Sequence, residues 1–444
     1  MPQTRQTRAS KAKGPFRLPQ ELINLVIDQL EFEDLGPAGL LGHAWYPRTR
    51  HWLFQELSLG SHKPGLRCLN LKALLEKKPA LQRYITRFSM ANEDADTAWI
   101  GKSTACSKSI ASAISLLTSV KEMAVDGAMA LGLRDVPKLL FNAILDLMAQ
   151  PSVTRIELTA LTMDTCPCDF TTFSSIKELV LKDVTPYVKP GRAACTQLPT
   201  PLAIDDPQRL QLLDLTACGS IIRSLIFSSL KMDVARRITS PRELWIGTIG
   251  WNEDMADGWT DLLKCSAPIV EKYTVHQDSF QPLDHPITSP FPPEVLALTH
   301  FRELHTFTLI GVFHFFDHEA HNPIPYLLKE LDTLSRTENE VKLRRLNLEF
   351  DFRRIDGEDE EDLDIRESLL GYTKKDIWAK LDEILVRPAF GKLEEVCIKF
   401  EVTYCELPDQ VWARAKGELL KSLKWMGTRE GLSVKVEKFR QIES

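Results

Sequence analysis

The chain lacks any stretch that approaches eighteen uninterrupted apolar residues, so we expect no membrane-spanning helix. Its first residues, MPQTRQTRASKAKG, are basic, but they are not followed by the apolar block that a secretory signal needs. A Gly-rich phosphate loop, a paired-glycine dinucleotide turn, a Gly-x-Ser-x-Gly elbow and a His-Glu-x-x-His motif are also missing. These absences remove the commonest enzyme classes, and we expect a protein without catalytic residues, cofactor or metal.

The chain also has no excess of basic residues. It contains 55 lysines and arginines and 61 acidic residues, which gives a net charge of −6. Phosphate neutralisation needs a basic face, so nucleic acid is not an expected partner. The nine cysteines are an odd number, which is typical of free thiols in a reducing compartment. We therefore expect an intracellular protein, in the nucleus or the cytoplasm. One residue separates Cys166 from Cys168, too few for a zinc knuckle.

Residues 16–59 have the pattern of a small helical module that follows a basic, solvated tail over residues 1–15. Pro19 suits the start of a helix, where a missing N–H costs nothing. Two further short helices are predicted over about 34–43 and 45–55. The first helix carries apolar residues at helical spacing, namely Leu22, Ile23, Val26, Ile27 and Leu30. So small a module cannot bury all its apolar side chains by itself, so the rest of the chain or a partner must cover them.

This run resembles an F-box. The matching pieces are Leu18-Pro19, Glu21-Leu22, Ile27, Leu30, Asp34-Leu35, Trp45 and the ending from Leu53-Phe54 to Leu57. An F-box docks on the Skp adaptor of an SCF ubiquitin ligase, and through it on a cullin, so the resemblance implies these partners. It also implies that Trp45 packs the small core of the module. The residues that the resemblance places against the adaptor are Leu18, Pro19, Leu22, Ile23, Ile27, Leu30, Leu35 and Leu40.

After the module, one short phrase recurs: apolar-x-x-apolar-x-apolar, followed by a turn or a helical pattern. The last two apolar residues of each phrase alternate as in a strand with one buried face. Clear examples are Val120/Met123/Val125, Val153/Ile156/Leu158, Ile176/Leu179/Leu181, Leu210/Leu213/Leu215, Leu304/Phe307/Leu309, Leu343/Leu346/Leu348 and Leu393/Val396/Ile398.

The alternation of strand and helix over residues 60–444 predicts an α/β fold, here a β/α solenoid. The phrase resembles degenerate leucine-rich repeats, as in fungal F-box-like proteins, and the resemblance implies an irregular horseshoe. A doubly wound parallel sheet uses the same alternation and is the competing prediction. Runs rich in proline or in acidic residues predict loop insertions near residues 184–209, 282–293 and 356–364.

In a horseshoe of this kind, the residues between the inward apolar positions face the concave side. Here they mix both signs of charge without a stripe of either, which favours a protein target over a nucleic acid. Large aromatics dominate binding hot spots when they are exposed. The candidate target-binding residues are Trp245, Trp251 and Trp259.

The first functional hypothesis is a non-catalytic substrate-recognition subunit of an SCF-type ubiquitin ligase, with the module on the adaptor and the repeats on an unknown protein target. The alternative is a repeat scaffold whose N-terminal helices only cap the solenoid. The glycines and the proline within residues 36–42 favour this alternative, because they disfavour a second helix. An uncommon enzyme with His314, His318 and His321 at its site is a third, weaker hypothesis.

Overall fold

The sheet and helices of the chain are described by a computed structural model. It covers residues 18–60, 64–91, 104–132, 136–163, 175–186, 199–218, 222, 226, 232–247, 253–277, 293–314, 322–337, 340–353, 369–373, 376–403 and 408–439. No helix in these ranges has the length and the apolar character needed to cross a membrane.

Helices and strands alternate along most of the described chain. The helices are α1 (Gln20–Ile27), α2 (Phe32–Gly39), α3 (Tyr46–Leu53), α4 (Pro64–Lys77), α5 (Thr104–Ile114), α6 (Lys138–Met148), α7 (Met232–Ile238), α8 (Glu253–Ser266), α9 (Ile324–Ser335), α10 (Ile377–Leu385) and α11 (Asp409–Ser422). The strands are β1 (Glu56–Leu59), β2 (Arg87–Ala91), β3 (Glu122–Gly132), β4 (Arg155–Met163), β5 (Glu178–Lys182), β6 (Thr185–Pro186), β7 (Leu212–Thr216), β8 (Glu243–Gly247), β9 (Lys272–Gln277), β10 (Thr306–His314), β11 (Arg345–Arg353), β12 (Glu395–Thr403) and β13 (Ser433–Phe439).

All these strands belong to one parallel sheet, in which each strand lies beside the next one along the chain. The two-residue strand β6 is the exception, since it pairs with β4 and β7 pairs directly with β5. The α/β class predicted from the sequence is confirmed. The strand order does not reverse anywhere along the described sheet, whereas a doubly wound sheet reverses at its switch point.

Two rows of apolar side chains run across the sheet, because the recurring phrases pair in register. The first row is Leu57, Phe88, Met123, Ile156, Leu179, Leu213, Leu244, Tyr273, Phe307, Leu346, Val396 and Val434. The second row follows two residues later on each strand, and both rows belong to or pack against one hydrophobic core cluster. Side chains two apart on a strand share a face, so both rows lie on the same side of the sheet.

The helices cover this apolar face. Leu140 and Ile144 of α6, Leu327 of α9 and Leu381 of α10 belong to the same core cluster as the strand residues. Neighbouring helices also contact one another, α4 with α5 and α5 with α6, and likewise α9 with α10 and α10 with α11. The opposite face carries the alternate side chains of every strand, and we call it the open face.

One backbone conformation recurs at equivalent positions along three successive strands in the sheet, β4, β5 and β7. Ala160, Asp183 and Ala217 have φ values of 51°, 50° and 53°, although none of them is glycine. Each directly follows one of the registered residues Thr159, Lys182 and Thr216. The left-handed conformation is uncommon for such residues. Its repetition in register shows that successive units are built alike here.

The boundary predicted between module and repeats needs a correction. Residues Glu56–Leu59 form β1 and pair with β2, so the sheet begins inside the stretch assigned to the helical module. Leu57 and Leu59 alternate as core-facing strand residues do. Of the predicted insertions, residues 356–364 lie outside the described chain, and only Pro293 of 282–293 lies within it, at the start of a 3₁₀ turn.

In the described part of the predicted loop over residues 184–209, Arg209 is anchored, and its side chain is 1% exposed. Its guanidinium donates to the carbonyl oxygens of Ser240 at 3.2 Å and Ile269 at 2.8 Å. It also donates to the carbonyl oxygens of Ile204 and Pro241. Burial lowers the pKa of Arg209, and the Glu271 carboxylate at 3.5 Å opposes that effect. A buried cation thus satisfies carbonyl groups that no helix or strand satisfies.

Candidate functional site

The N-terminal module (residues 18–53) has a small core of its own. The carbonyl oxygen of Pro19 accepts hydrogen bonds from the backbone N–H groups of Leu22 and Ile23, which starts α1 directly after the proline. The core is separate from the large cluster under the sheet. Its buried members are Ile23, Ile27 and Leu35, with Leu30, Trp45 and Leu53 packed against them. Trp45 packs against this core, which is the position expected for it from the sequence.

An ion pair holds α1 against α3. Nε and Nη2 of Arg48 donate to the two carboxylate oxygens of Asp28 at 2.6 and 2.7 Å, and Nε1 of Trp52 donates to Oδ1 at 2.9 Å. The hydrogen bond from Arg48, followed by that from Trp52, holds the pKa of the Asp28 carboxyl below its usual range. Such a two-point contact fixes the orientation of both partners.

Helix α2 forms although its sequence contains Gly36, Pro37 and Gly39. Gly39 has a packing reason, because a Cβ there would lie 3.0 Å from Oγ1 of Thr49 on α3. Thr49 is 1% exposed, so α2 and α3 approach closely at this point. Gly39, which disfavours a helix in the sequence, therefore allows α2 and α3 to pack closely.

The residues that resemblance assigned to the adaptor divide into two groups. Leu18, Pro19, Leu22 and Leu40 are exposed, and Leu30 is half-buried. Ile23, Ile27 and Leu35 are buried in the core of the module itself, at 6%, 1% and 4% exposure. These last three cannot offer a surface to a partner in this conformation, because they already hold the helices together.

Helix α1 is apolar on two sides. Ile23, Ile27 and Leu30 face the small core, whereas Leu22, Leu25 and Val26 are exposed, together with Leu18 just before the helix. At 100° per residue these two sets cover about 200° of the helix circumference. Leu25 and Val26 are exposed at 61% and 45% and were missed as contact residues. The signal that could have identified them was their helical spacing, which is i+7 and i+8 from Leu18 and i+3 and i+4 from Leu22.

Exposed large apolar side chains concentrate in this module. Among the described residues eight of fourteen lie there: Leu18, Leu22, Leu25, Val26, Leu40, Leu41, Tyr46 and Trp52. Leu40 and Leu41, just after α2, are the most exposed at 87% and 69%. Apolar side chains scattered singly need no explanation, whereas a concentrated group is typical of an interaction surface. We call these eight residues the apolar surface of the module.

The module joins the sheet with no intervening linker. Leu53 packs into the small core, and the next residue, Phe54, packs against the large one. The carbonyl oxygen of Gln55 then accepts hydrogen bonds at 2.9 Å from the backbone N–H groups of Thr86 and Arg87. The helices are therefore anchored to the first two strands.

The open face of the sheet is charged, with opposite signs on neighbouring strands. Arg87 on β2 pairs with Glu122 on β3 at 2.9 Å, and Lys272 on β9 pairs with Glu243 on β8 at 3.2 Å. The mixture of signs expected from the sequence is thus an ordered series of cross-strand pairs. Most of its members are partly exposed, so each pair contributes little to stability and the face remains accessible.

A denser network occupies the open face at β4 and β5. Arg155 bridges the carboxylates of Glu178 at 2.8 Å and Glu157 at 3.3 Å, and Lys182 reaches Glu157 at 2.9 Å. Burial acts to raise the pKa of Glu157, but Lys182 and Arg155 together outweigh it and hold that pKa below its usual range. In this network Arg155 and Lys182 are neutralised by two acids, Glu157 and Glu178.

The three candidate tryptophans have different environments. Trp245 lies on the open face in β8 and is 37% exposed, and its Nε1 donates to Oε1 of Glu243 at 2.7 Å. The assignment of Trp259 to a binding surface is corrected, because it is 1% exposed and belongs to the large core on α8. Trp251 lies outside the described residues.

In the described part of the chain, no cluster of three or more His, Cys, Asp or Glu side chains is suited to hold a metal ion. His318 and His321 lie outside that part. No protein-family model matches the chain, and no curated protein is similar to it in sequence.

Proposed function

We propose that the chain is a non-catalytic substrate-recognition subunit of an SCF-type ubiquitin ligase. Residues 18–53 dock the Skp adaptor, and through it a cullin, while the open face of the sheet holds a protein target. The chain performs no chemistry itself. It raises the effective concentration of a target lysine near the ubiquitin donor.

The observation that carries the proposal is the apolar surface of the module. A helix that is apolar on two sides is stable in water only when both sides are covered. The core of the module covers one side of α1, and Leu22, Leu25 and Val26 on the other side are exposed. This surface coincides with the stretch that resembles an F-box, whose helices dock the adaptor.

We propose that the sheet that holds the target is a degenerate leucine-rich horseshoe. Residues 210–218 fit the leucine-rich phrase L-x-x-L-x-L-x-x-C, with Cys218 at the place that asparagine or cysteine takes in such repeats. Sγ of Cys218 accepts a hydrogen bond from the backbone N–H of Val184 at 3.4 Å and lies 3.2 Å from the carbonyl oxygen of Leu181. The Cys218 side chain thus connects its own strand–helix unit to the preceding one. In leucine-rich repeats the asparagine or cysteine side chains make this kind of connection between neighbouring units.

A binding experiment with a purified Skp adaptor tests the proposal. Leu22→Asp and Leu40→Asp place a charge on the apolar surface without touching the small core. The double variant should abolish capture of the adaptor, because an unpaired charge at such an interface costs several kcal/mol. Ile27 is unsuitable for this test, since it is 1% exposed and its replacement would unfold the module.

Leu139→Asp provides the matched control, since Leu139 is 54% exposed on α6, away from the module. This variant should capture the adaptor as the wild type does. If the wild type fails to capture the adaptor, or if all variants capture it equally, the ligase proposal is wrong.

The alternative function is a repeat scaffold that the module only caps. The hydrogen bonds from Thr86 and Arg87 to Gln55, and the packing of Phe54, favour it. Deletion of residues 1–53 distinguishes the two functions. A cap predicts that the sheet loses stability without its helices, whereas a docking module predicts a stable sheet that no longer captures the adaptor.

A further inference from the structure

A carboxylate and an aromatic ring lie side by side in the middle of the open face. Asp214 of β7 and Trp245 of β8 are direct partners in the parallel register, and both side chains point away from the apolar rows. Registered partners on neighbouring strands lie about 5 Å apart. The ring and the carboxylate are therefore close enough to contact one ligand group together.

Asp214 forms no ion pair with a cation among the described residues, and Lys182 and Arg155 act on it only at longer range. It is 9% exposed, and its only hydrogen bond there comes from Oγ1 of Thr216 to Oδ1 at 3.1 Å. On its other side lies Val180, which is 1% exposed. A carboxylate in such surroundings is unfavourable until a cation reaches it. Burial accordingly raises the pKa of Asp214.

The nearest cations on the open face are occupied by other acids. Lys182 and Arg155 bind Glu157, and Arg155 also binds Glu178. On the far side of Trp245, Lys272 pairs with Glu243 at 3.2 Å. These cations thus form ion pairs with other acids, and none of them forms one with Asp214.

The ring of Trp245 is held in place. Its Nε1 donates to Glu243, which Lys272 anchors in turn, so the indole orientation is set before any ligand arrives. An exposed indole face attracts ammonium and guanidinium groups, and a ring that is already oriented loses little entropy on binding.

We propose that Trp245 and Asp214 form a binding site for a basic side chain, arginine or lysine, of the recognised protein. The cation stacks on the indole and its N–H groups donate to the Asp214 carboxylate. The inference rests on the proposed function only in taking this basic side chain to belong to a target protein. The binding site itself does not depend on the adaptor.

The test uses the full-length chain and fluorescein-labelled peptides, one of four arginines flanked by glycines, one with lysines and one with glutamates. Fluorescence anisotropy gives the Kd of each peptide. Trp245→Leu and Asp214→Asn should each raise the Kd of the basic peptides about tenfold, because each removes one half of the cation site. The glutamate peptide should not bind.

Two control variants make the same kinds of substitution, an acid to its amide and a tryptophan to leucine, away from the proposed site. Glu76→Gln removes an acid from helix α4, away from the open face, and Trp425→Leu removes another exposed tryptophan, which is 59% exposed. Both should bind the basic peptides as the wild type does. Circular dichroism verifies folding, and the exposed Trp245 keeps the test valid even if Asp214→Asn unfolds the chain.

The proposed site is wrong if the wild type does not bind the basic peptides, or if Trp245→Leu binds them as tightly as the wild type does. It is also wrong if neutralising the acids of residues 356–364 abolishes the binding of these peptides. Adaptor capture is measured on the same variants and should be unchanged. Failure of the peptide test with intact adaptor capture rejects the site alone, and failure of adaptor capture with intact peptide binding rejects the ligase proposal alone.

Discussion

Arg48 and Asp28 form a two-point ion pair, 2.6 and 2.7 Å long, that joins α3 to the end of α1. The same carboxylate accepts the indole N–H of Trp52. Trp52 itself belongs to the apolar surface of the module, so the Asp28 carboxylate connects the end of α1 to one member of that surface.

Replacement of Arg48 by alanine should loosen α1, and the effect should depend on pH. Arg48 and Trp52 lower the pKa of Asp28, so their stabilisation is complete above the unfolded pKa of about 3.9. It is lost as the pH falls through the lower folded pKa. Hydrogen exchange of residues 20–27 should therefore be faster in Arg48→Ala at pH 7, and should approach the wild-type rate in acid. Lys72→Ala, which breaks an exposed pair, serves as control and should leave this exchange unchanged.

Gly247→Ala should destabilise the sheet by about 1–3 kcal/mol, because the new methyl group would overpack its neighbour. A Cβ at Gly247 would lie 2.6 Å from Cγ2 of Thr216 on the adjacent strand. Urea unfolding measures the free energy. Thr216→Ser removes the clashing methyl group, so the double variant should recover part of the loss. Additive losses in the double variant would contradict this explanation.

Arg209→Leu should lower the free energy of unfolding by about 3 kcal/mol or more, since it leaves several buried carbonyl oxygens without a donor. Lysine should not rescue the loss, because an ammonium group cannot span the carbonyl oxygens of Ile204, Ser240 and Ile269 together. Thermal unfolding of both variants checks this, with Arg302→Leu as a surface control. A wild-type melting temperature for Arg209→Lys would show that the fork geometry is unimportant.

The Cys218 thiol should resist alkylation in the folded chain. It is fully buried, and burial raises its pKa to about 12. Almost no thiolate, the reactive form, is then present at pH 8. Iodoacetamide labelling followed by mass spectrometry should leave Cys218 unmodified until urea unfolds the protein. Rapid labelling under native conditions would show that the hydrogen bond from Val184 is not maintained.

The strand positions were predictable because their signal is local. Each phrase ends in apolar residues two apart, such as Leu213 and Leu215, and this spacing places both on one face of a strand. The alternation of these strands with helical segments was predictable for the same reason.

The buried or exposed state of particular side chains could not be predicted from the same patterns. Leu22 and Ile23 are neighbours of equal hydrophobicity, yet one is 46% exposed and the other 6%. Trp245 and Trp259 looked alike in the sequence, but only the former lies on the open face. The position of a side chain around a helix or strand, together with what packs against it, decides these cases.

The sequence by itself determined the α/β class, the recurring strands and the start of α1, since each depends on residues a few positions apart. Only the tertiary structure decided the contacts of Arg209 and Cys218, and the pairing of Asp214 with Trp245. The partners in these contacts lie about 30 to 60 positions apart along the chain. Parallel pairing of successive strands brings them together, and no local pattern of residue types carries that information.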